Sequence, residues 1–171
     1  MRVGIGYDSH RFDSGRPLVL GGVHLPDHPG LKGHSDGDAV AHALIDALLG
    51  AAALGDIGQH FPDTDSRWLG ADSMALLAST VRLIEERNYQ VVNADVTIVA
   101  ESPRVGPWVP EMAERIAELL RIARSCISIK GKTNEGMGWI GRGEGLAAMA
   151  VVLLDQIGDI DTLHASIRTG G

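Results

Sequence analysis

The chain has 171 residues, 44% of them hydrophobic, and a formal net charge of −7. This length and composition predict one globular domain and exclude wholesale disorder. The negative charge argues against a nucleic-acid-binding surface, which needs clustered basic residues. It also means that a phosphate site would have to obtain positive charge locally, from a metal ion, lysine, arginine or backbone N–H groups.

Strands and helices alternate along the sequence, which predicts one α/β layer packed on another. We expect strands at 1–5, 17–23, 91–99, 127–131 and 146–154, and helices at 39–54, 73–87 and 109–123. The segments 26–33, 55–70 and 131–145 are rich in Gly, Pro or Asp, so we expect loops there. Ser35 and Asp72 are the predicted N-caps of the first two helices. Periodicity alone does not separate strand from helix at 146–154, and we favour a strand.

The domain boundary is expected close to the C-terminus. Residues 1–157 are predicted to form a single catalytic domain, and the polar residues 158–171 a poorly ordered tail. No apolar run reaches the roughly 18–20 residues of a membrane helix, and no secretory signal is visible. We therefore expect a cytoplasmic protein with neither membrane nor nucleic acid as a partner, although a processed plastid protein would have the same features.

Three residues in the first quarter of the chain predict a metal site. Asp8 and His10 are two residues apart, so on a strand they share one face. His42 lies among apolar residues, where an unpaired polar group costs about 1–3 kcal/mol. It is either a core histidine bonded to Asp38 or Asp46, which lie one turn away on its helix face, or a third metal ligand. One carboxylate and two imidazoles suit a zinc site with an open fourth position, and Asp46 would then hold the other ring nitrogen of His42.

Other polar segments suit a phosphorylated ligand. His34 lies near the start of the first predicted helix, where free N–H groups favour an anion. Residues 55–65 combine Gly, Pro and Asp, which suits hydroxyl recognition or a hard cation, although an ordinary turn looks similar. Lys132 and Thr133 stand among glycines and can hold phosphate, and Glu135 offers a carboxylate to a cation beside it. The register of a P-loop is missing there.

Seven short motifs, specific in combination and in order, run along the chain. They are GYDSHRF at 6–12, LGGV at 20–23, HSDGD at 34–38, GDIG at 55–58, FPDTD at 61–65, DVTI at 95–98 and GRGEG at 141–145. Together they resemble the 2-C-methyl-D-erythritol 2,4-cyclodiphosphate synthase family, and the resemblance covers about residues 1–156.

The resemblance implies an α+β fold: a two-layer α/β sandwich with a mixed β-sheet on one side and helices on the other. It further implies a homotrimer in which the sheets pack around a three-fold axis and the active sites lie between subunits. The implied enzyme is a lyase of the non-mevalonate isoprenoid pathway. It converts 4-diphosphocytidyl-2-C-methyl-D-erythritol 2-phosphate to 2-C-methyl-D-erythritol 2,4-cyclodiphosphate and CMP, by attack of the 2-phosphate on the β-phosphorus.

The resemblance also implies roles for individual residues. The Zn²⁺ ligands would be Asp8, His10 and His42, and Glu135 would meet a second ion, Mg²⁺ or Mn²⁺, on the diphosphate. His34 and Thr133 would contact the reacting phosphates. Ser35 would touch the substrate next to His34. The methylerythritol part would be bound by Asp56, Ile57, Gly58, Phe61, Pro62, Asp63, Thr64 and Asp65. The cytosine pocket would be formed by Ala100, Glu101, Ser102, Pro103, Arg104, Val105 and Gly106. Further substrate contacts would come from Ser9, Lys132, Asn134, Trp139 and Arg142.

Two other functions use the same residues. A metal-dependent phosphohydrolase is possible because an open zinc position can also activate water. A non-catalytic binder of nucleotides or isoprenoid phosphates would not need intact metal ligands, which are all present here. The sequence also departs from the family pattern at two positions. Trp139 replaces a common phenylalanine near the three-fold axis, and Lys132 is expected to strengthen phosphate binding.

Overall fold

A mixed five-stranded sheet forms the frame of the protein. The computed structural model describes residues 1–158, so the predicted tail, apart from Gly158, lies outside the described residues. The strand order is β2-β1-β5-β3-β4. The strands are β1 (Arg2–Leu20), β2 (Val23–Leu31), β3 (Tyr89–Val99), β4 (Ile127–Lys132) and β5 (Gly145–Gln156). β3 and β4 pair in parallel and the other neighbours pair antiparallel, so the sheet is mixed, as predicted.

Helices pack against this sheet and complete an α+β fold. They are α1 (Ala39–Ala52), α2 (Ile57–His60), α3 (Ser73–Glu86), α4 (Val109–Leu120) and α5 (Gly138–Gly141). α1 contacts β1 and β5 on one side and α3 on another, while α4 packs against α3 and β4. All residues of α1 except Asp46 and Gly50 are buried, as its Ala- and Leu-rich sequence predicts. No helix within residues 1–158 is long and apolar enough to cross a bilayer.

The N-terminal strands differ most from the prediction. β1 does not end at Ile5 but continues to Leu20, and residues 17–20 are its last part rather than a separate strand. Gly21 and Gly22, both at positive φ, form the turn into β2. The predicted loop at 26–33 is wrong as far as Leu31, because β2 runs from Val23 to that residue. β2 is an edge strand, where prolines are tolerated because one side of the ladder needs no donor.

The three predicted helices are all present, but their last residues and one of the caps differ from the prediction. Asp72 is the N-cap of α3, as predicted. Ser35 is not the cap of α1, because the helix begins at Ala39 and Asp38 accepts from the first free N–H groups. The predicted loop at 55–70 contains the short α2 and a 3₁₀ turn, and the glycine-rich segment 131–145 contains the single turn of α5.

Candidate active site

Three side chains from β1 and α1 meet in one cluster. Asp8 Oδ2 lies 2.8 Å from His10 Nε2 and 3.0 Å from His42 Nδ1. The two histidine nitrogens are 3.2 Å apart. Two ligands of a tetrahedral zinc ion, each bonded at about 2.0–2.1 Å, are separated by about 3.3 Å. The three atoms therefore form a triangle of nearly the size that a zinc ion requires, so the three predicted side chains meet as a possible metal-binding triad.

The close packing of β1 on α1 places this cluster. Gly4 and Gly6 point to the same face of β1 as the two metal-ligand candidates that follow them. A Cβ at Gly4 would overlap the carbonyl oxygen of Ala47, and one at Gly6 that of Ala43. Glycine thus lets the backbone of α1 lie directly on β1. Asp8 and His10 are the next two residues on the same face of the strand, just past the point where helix and strand touch.

The ring nitrogen of His42 that faces away from the cluster is held by two hydroxyl groups. Nε2 lies 3.0 Å from Ser35 Oγ and 2.9 Å from Ser73 Oγ. Ser73 in turn donates to the carboxylate of Asp36. When Nδ1 binds a metal, Nε2 must carry the ring proton, and the hydroxyl oxygens accept it. Ser73 and Asp36 were missed as site residues, because no spacing in the sequence links the start of α3 to His42.

The predicted partners of His42 are corrected by this arrangement. Asp46 does not hold the imidazole; its Oδ1 accepts from the backbone N–H of Ile57 at 2.8 Å. The side chain of Asp38 does not bond the ring either, since it caps α1 and accepts from Gly21 and Gly22. Helical side chains lean toward the N-terminus, so the His42 ring leaves the helix face toward Ser35.

His10 is oriented by the main chain. Its Nδ1 donates to the carbonyl oxygen of Lys32 at 2.7 Å, which leaves Nε2 to face the cluster. Burial lowers the pKa of His10, but the hydrogen bond and negative charge of Asp8 outweigh burial and raise it above its ordinary value. Burial has the opposite effect on a carboxyl group and raises the pKa of Asp8. The hydrogen bonds from His10 and His42 outweigh burial, so that the pKa of Asp8 is strongly lowered. Asp8 is therefore ionised at neutral pH.

A cleft of about 390 Å³ opens beside the cluster. It is lined by His10, His34, Ser35, His42, Ile57, Gly58, Phe61, Pro62, Asp63, Trp68 and Leu76. Of these, Trp68 and Leu76 were not singled out from the sequence, since isolated apolar residues carry no chemical motif. His34 Nε2 is buried and has no hydrogen-bond partner within the described chain. A buried polar atom of this kind is available to a ligand.

A second cleft, of about 280 Å³, lies at the carboxyl ends of β3 and β4. Its lining comprises Ile98, Ala100, Glu101, Pro103, Arg104, Val105, Gly106, Gly131, Lys132 and Thr133. A Cβ at Gly131 would come within 2.7 Å of Val105 Cγ2, so the glycine keeps this cleft open. Glu101 Oε1 accepts from the N–H groups of Asn134 and Gly136 and fixes the following loop. Thr133 Oγ1 donates to Glu135 at 2.6 Å.

The predicted phosphate contacts are divided between the two clefts. His34 lines the first cleft and Thr133 the second, so one chain does not bring them to a single cavity. Asp56 caps α2, while Asp65 pairs with Arg67. A third cleft of about 340 Å³ contains Ser9, His10, Arg11, Trp139 and Glu144. Ser102, Thr64, Asn134, Glu135 and Arg142 line none of the three clefts, and Arg142 pairs with Glu144 at 2.7 Å.

Comparison with known proteins identifies the family. The model of the YgbB family matches residues 1–155. The 2-C-methyl-D-erythritol 2,4-cyclodiphosphate synthase of Symbiobacterium thermophilum is 57% identical over 154 residues, which cover 90% of this chain and 98% of that protein. A solved structure of such a synthase in a CDP-bound form has a TM-score of 0.83 at 43% identity, covering 90% of this chain and 100% of that one.

The bifunctional IspDF structure from Campylobacter jejuni is also similar, with a TM-score of 0.88 at 42% identity. The match covers 91% of this chain and 42% of that longer protein, so this chain corresponds to less than half of the bifunctional one. Sequence, fold and metal-ligand geometry agree: the chain belongs to the YgbB family of 2-C-methyl-D-erythritol 2,4-cyclodiphosphate synthases.

Proposed function

We propose that this protein converts 4-diphosphocytidyl-2-C-methyl-D-erythritol 2-phosphate to 2-C-methyl-D-erythritol 2,4-cyclodiphosphate and CMP, as a lyase of the non-mevalonate isoprenoid pathway. The observation that carries the proposal is the triangle of Asp8, His10 and His42 at the edge of an open cleft. Relatives at 57% and 52% identity are 2-C-methyl-D-erythritol 2,4-cyclodiphosphate synthases, which supports this reaction. The CDP-bound relative supports a cytidine diphosphate as the ligand class.

The donor set and its size fit Zn²⁺ at this position. Asp8, His10 and His42 would hold the ion with one carboxylate and two imidazoles, a donor set that leaves a catalytic zinc ion able to take one more ligand. When bound there, Zn²⁺ would supply positive charge and Lewis acidity to the β-phosphate of the substrate. This local charge matters because the chain itself carries a net charge of −7 and would repel a phosphorylated substrate.

The protein needs no general base for this reaction, because the attacking 2-phosphate oxygen is already anionic. What the residues supply is position. Holding the two phosphate groups of one substrate in contact can be worth about 7–11 kcal/mol of the barrier. His34, whose Nε2 has no partner in the described part of the chain, would donate to a phosphate oxygen, and Ser35 would keep the His42 imidazole in place. The apolar side chains of Ile57 and Phe61 would exclude water from the methylerythritol part.

The second cleft would take the cytosine, between backbone groups of residues 100–106 and the open space at Gly131. Glu135, which already accepts from Thr133, would bind a second divalent ion, Mg²⁺ or Mn²⁺, on the diphosphate. The two clefts each hold part of the proposed substrate contacts. We therefore place the complete active site between two subunits, with the first cleft from one and the second from its neighbour.

An apolar sheet surface supports a homotrimer. Val3, Ile5, Tyr7, Met149 and Val151 are all between 41% and 69% exposed. They lie side by side, because Ile5 pairs with Val151 and Tyr7 with Met149 across β1 and β5. Exposed apolar patches of this kind mark interaction surfaces. Light scattering after size exclusion should give three times the chain mass of 18.1 kDa; a monomer would reject this part of the proposal.

Phosphorus NMR of the protein with the proposed substrate, Zn²⁺ and Mg²⁺ tests the reaction itself. Cyclic diphosphate and CMP in equal amounts are the expected products. Inorganic phosphate in their place would identify a phosphohydrolase acting on the same ligand set. Bound Zn²⁺ and bound CDP without turnover would instead identify a binding protein.

Lys132 is the cation of the second cleft closest in sequence to the proposed phosphate contacts. Lys132→Ala is expected to raise KM about tenfold, which corresponds to one charge-assisted hydrogen bond of ~1.4 kcal/mol, with a smaller effect on kcat. Lys130→Ala is the matched control: it removes the same charge from the same strand, but its ammonium group is held by Asp95. An equal rise of KM in both variants would show that only net charge matters.

Zn²⁺ affinity should depend on pH through His10. Asp8 stabilises the imidazolium and raises the pKa of His10, and Zn²⁺ must displace that proton to bind. Below the raised pKa the affinity should fall about tenfold for each pH unit, and above it the dependence on His10 should vanish. Chelator competition between about pH 6 and about pH 8 measures the Zn²⁺ affinity over this range, which includes the ordinary pKa of histidine and values above it. A flat profile would contradict the assignment of His10 as a ligand.

A further inference from the structure

We infer that Arg16 is a positioning residue of the proposed active site. It holds residues 31–35, here called the carbonyl segment, and this segment orients His10 and places His34 and Ser35. The inference rests on the proposed function for its role in turnover. The contacts of the guanidinium group with the carbonyl segment do not depend on that function.

A bulge in β1 directs Arg16 toward this segment. In the pairing of β1 with β2, Asp13 lies opposite Gly30 and Pro17 lies opposite Pro29, so residues 14–16 have no partners on β2. Gly15 N–H donates to Asp13 Oδ1 at 2.9 Å and closes the bulge locally. Bulges of this kind re-aim side chains beside functional sites. Here the bulge brings the guanidinium of Arg16 to the chain that follows β2.

The guanidinium bonds three main-chain carbonyl groups in alternate positions. Nη1 donates to the oxygen of Gly33 at 2.6 Å and to that of Leu31 at 3.3 Å. Nη2 donates to the oxygen of Ser35. A planar group with several fixed N–H donors can hold three acceptors at once, which the single flexible ammonium group of lysine does less well. The carbonyl segment is therefore fixed at its beginning, middle and end by one side chain.

The groups between these anchor points belong to the proposed active site. The carbonyl oxygen of Lys32 accepts from His10 Nδ1, and Ser35 Oγ lies 3.0 Å from His42 Nε2. His34 lines the first cleft, and its buried Nε2 has no hydrogen-bond partner among residues 1–158. A shift of the carbonyl segment would turn the His10 ring away from Asp8 and displace the donor proposed for phosphate. Arg16 would thus act on two metal ligands and one phosphate contact through the segment.

Arg16→Ala tests this coupling, with two readouts. Zn²⁺ affinity, measured by chelator competition without substrate, should weaken about 10–100-fold, the usual cost of losing a group that orients a metal ligand. In the cyclisation assay kcat should fall in the same range, with a smaller change in KM. Millimolar guanidinium ion should restore part of both losses. Arg16→Lys should retain the positive charge but lose the planar set of N–H donors. Its Zn²⁺ affinity and kcat should therefore fall between those of the wild type and Arg16→Ala.

Arg115→Ala is the matched control, because Arg115 forms an exposed ion pair with Glu111 on α4. It should match the wild type in both readouts and show no response to guanidinium. Wild-type Zn²⁺ affinity and kcat in Arg16→Ala would overturn the inference, as would a lowered Tm with losses that guanidinium does not restore. If Arg16→Ala does not fold, Arg16→Lys decides by the same comparison. If the wild type releases no CMP, the proposed function fails, whereas the Zn²⁺ affinities still decide the role of Arg16.

Discussion

His42→Ala is expected to abolish cyclic diphosphate formation, with kcat reduced at least about a thousandfold, or ~4 kcal/mol of transition-state stabilisation. The imidazole forms one corner of the ligand triangle, and Asp8 and His10 alone leave two ligands for the proposed ion. The change also removes the group that Ser35 and Ser73 bond. Phosphorus NMR for CMP and metal analysis of the purified protein measure the two effects together.

His24→Ala is the control for this substitution. His24 is an exposed histidine of β2 and lines none of the clefts described above. It should retain both Zn²⁺ and turnover. Full turnover in His42→Ala would refute the metal site, and loss of turnover with full Zn²⁺ content would move the role of His42 from metal binding to positioning of the substrate.

The meeting of the three candidate metal ligands was predictable because their signals are local. Asp8 and His10 obey the two-residue period of a strand, and His42 is a polar residue in an otherwise apolar helix. The groups that orient them were not predictable in this way. Ser73 reaches His42 across 31 positions, and Arg16 acts only because a bulge re-aims its side chain. Contacts of this kind are set by how elements pack, and a sequence pattern does not specify them.

The same distinction applies to the fold. α1 and α3 were predicted to within about two residues, since an apolar helix with an aspartate before it is a strong local signal. β1 and β2 were divided wrongly, because Gly15 and Pro17 look like a break between two strands and Pro26 looks like the start of a loop. They are compatible with strand because they lie in a bulge or on the edge of the sheet, and neither property is local.

Asp38→Ala should lower the free energy of unfolding by about 3–5 kcal/mol, because each buried donor left without an acceptor costs about 1–3 kcal/mol and relief of the buried carboxylate offsets only part of the sum. Asp38 is fully buried, and its carboxylate accepts from four backbone N–H groups. Two of them, from Val40 and Ala41, begin α1, and two, from Gly21 and Gly22, form the turn between β1 and β2. Alanine leaves all four donors without their acceptor and separates helix from turn. Urea unfolding followed by circular dichroism, at one fixed protein concentration, measures the loss.

Asp72→Ala separates this effect from ordinary helix capping. Asp72 caps α3 by accepting from Met74 N–H at 2.9 Å, at an exposed position. Its loss should cost only about 1 kcal/mol, the usual value for a cap. Equal losses in the two variants would show that Asp38 acts as a cap and no more. A larger loss for Asp38 would mean that the buried carboxylate ties the start of α1 to the turn that ends β1. Because His42 lies in the first turn of α1, the same carboxylate would then help to position the third candidate metal ligand.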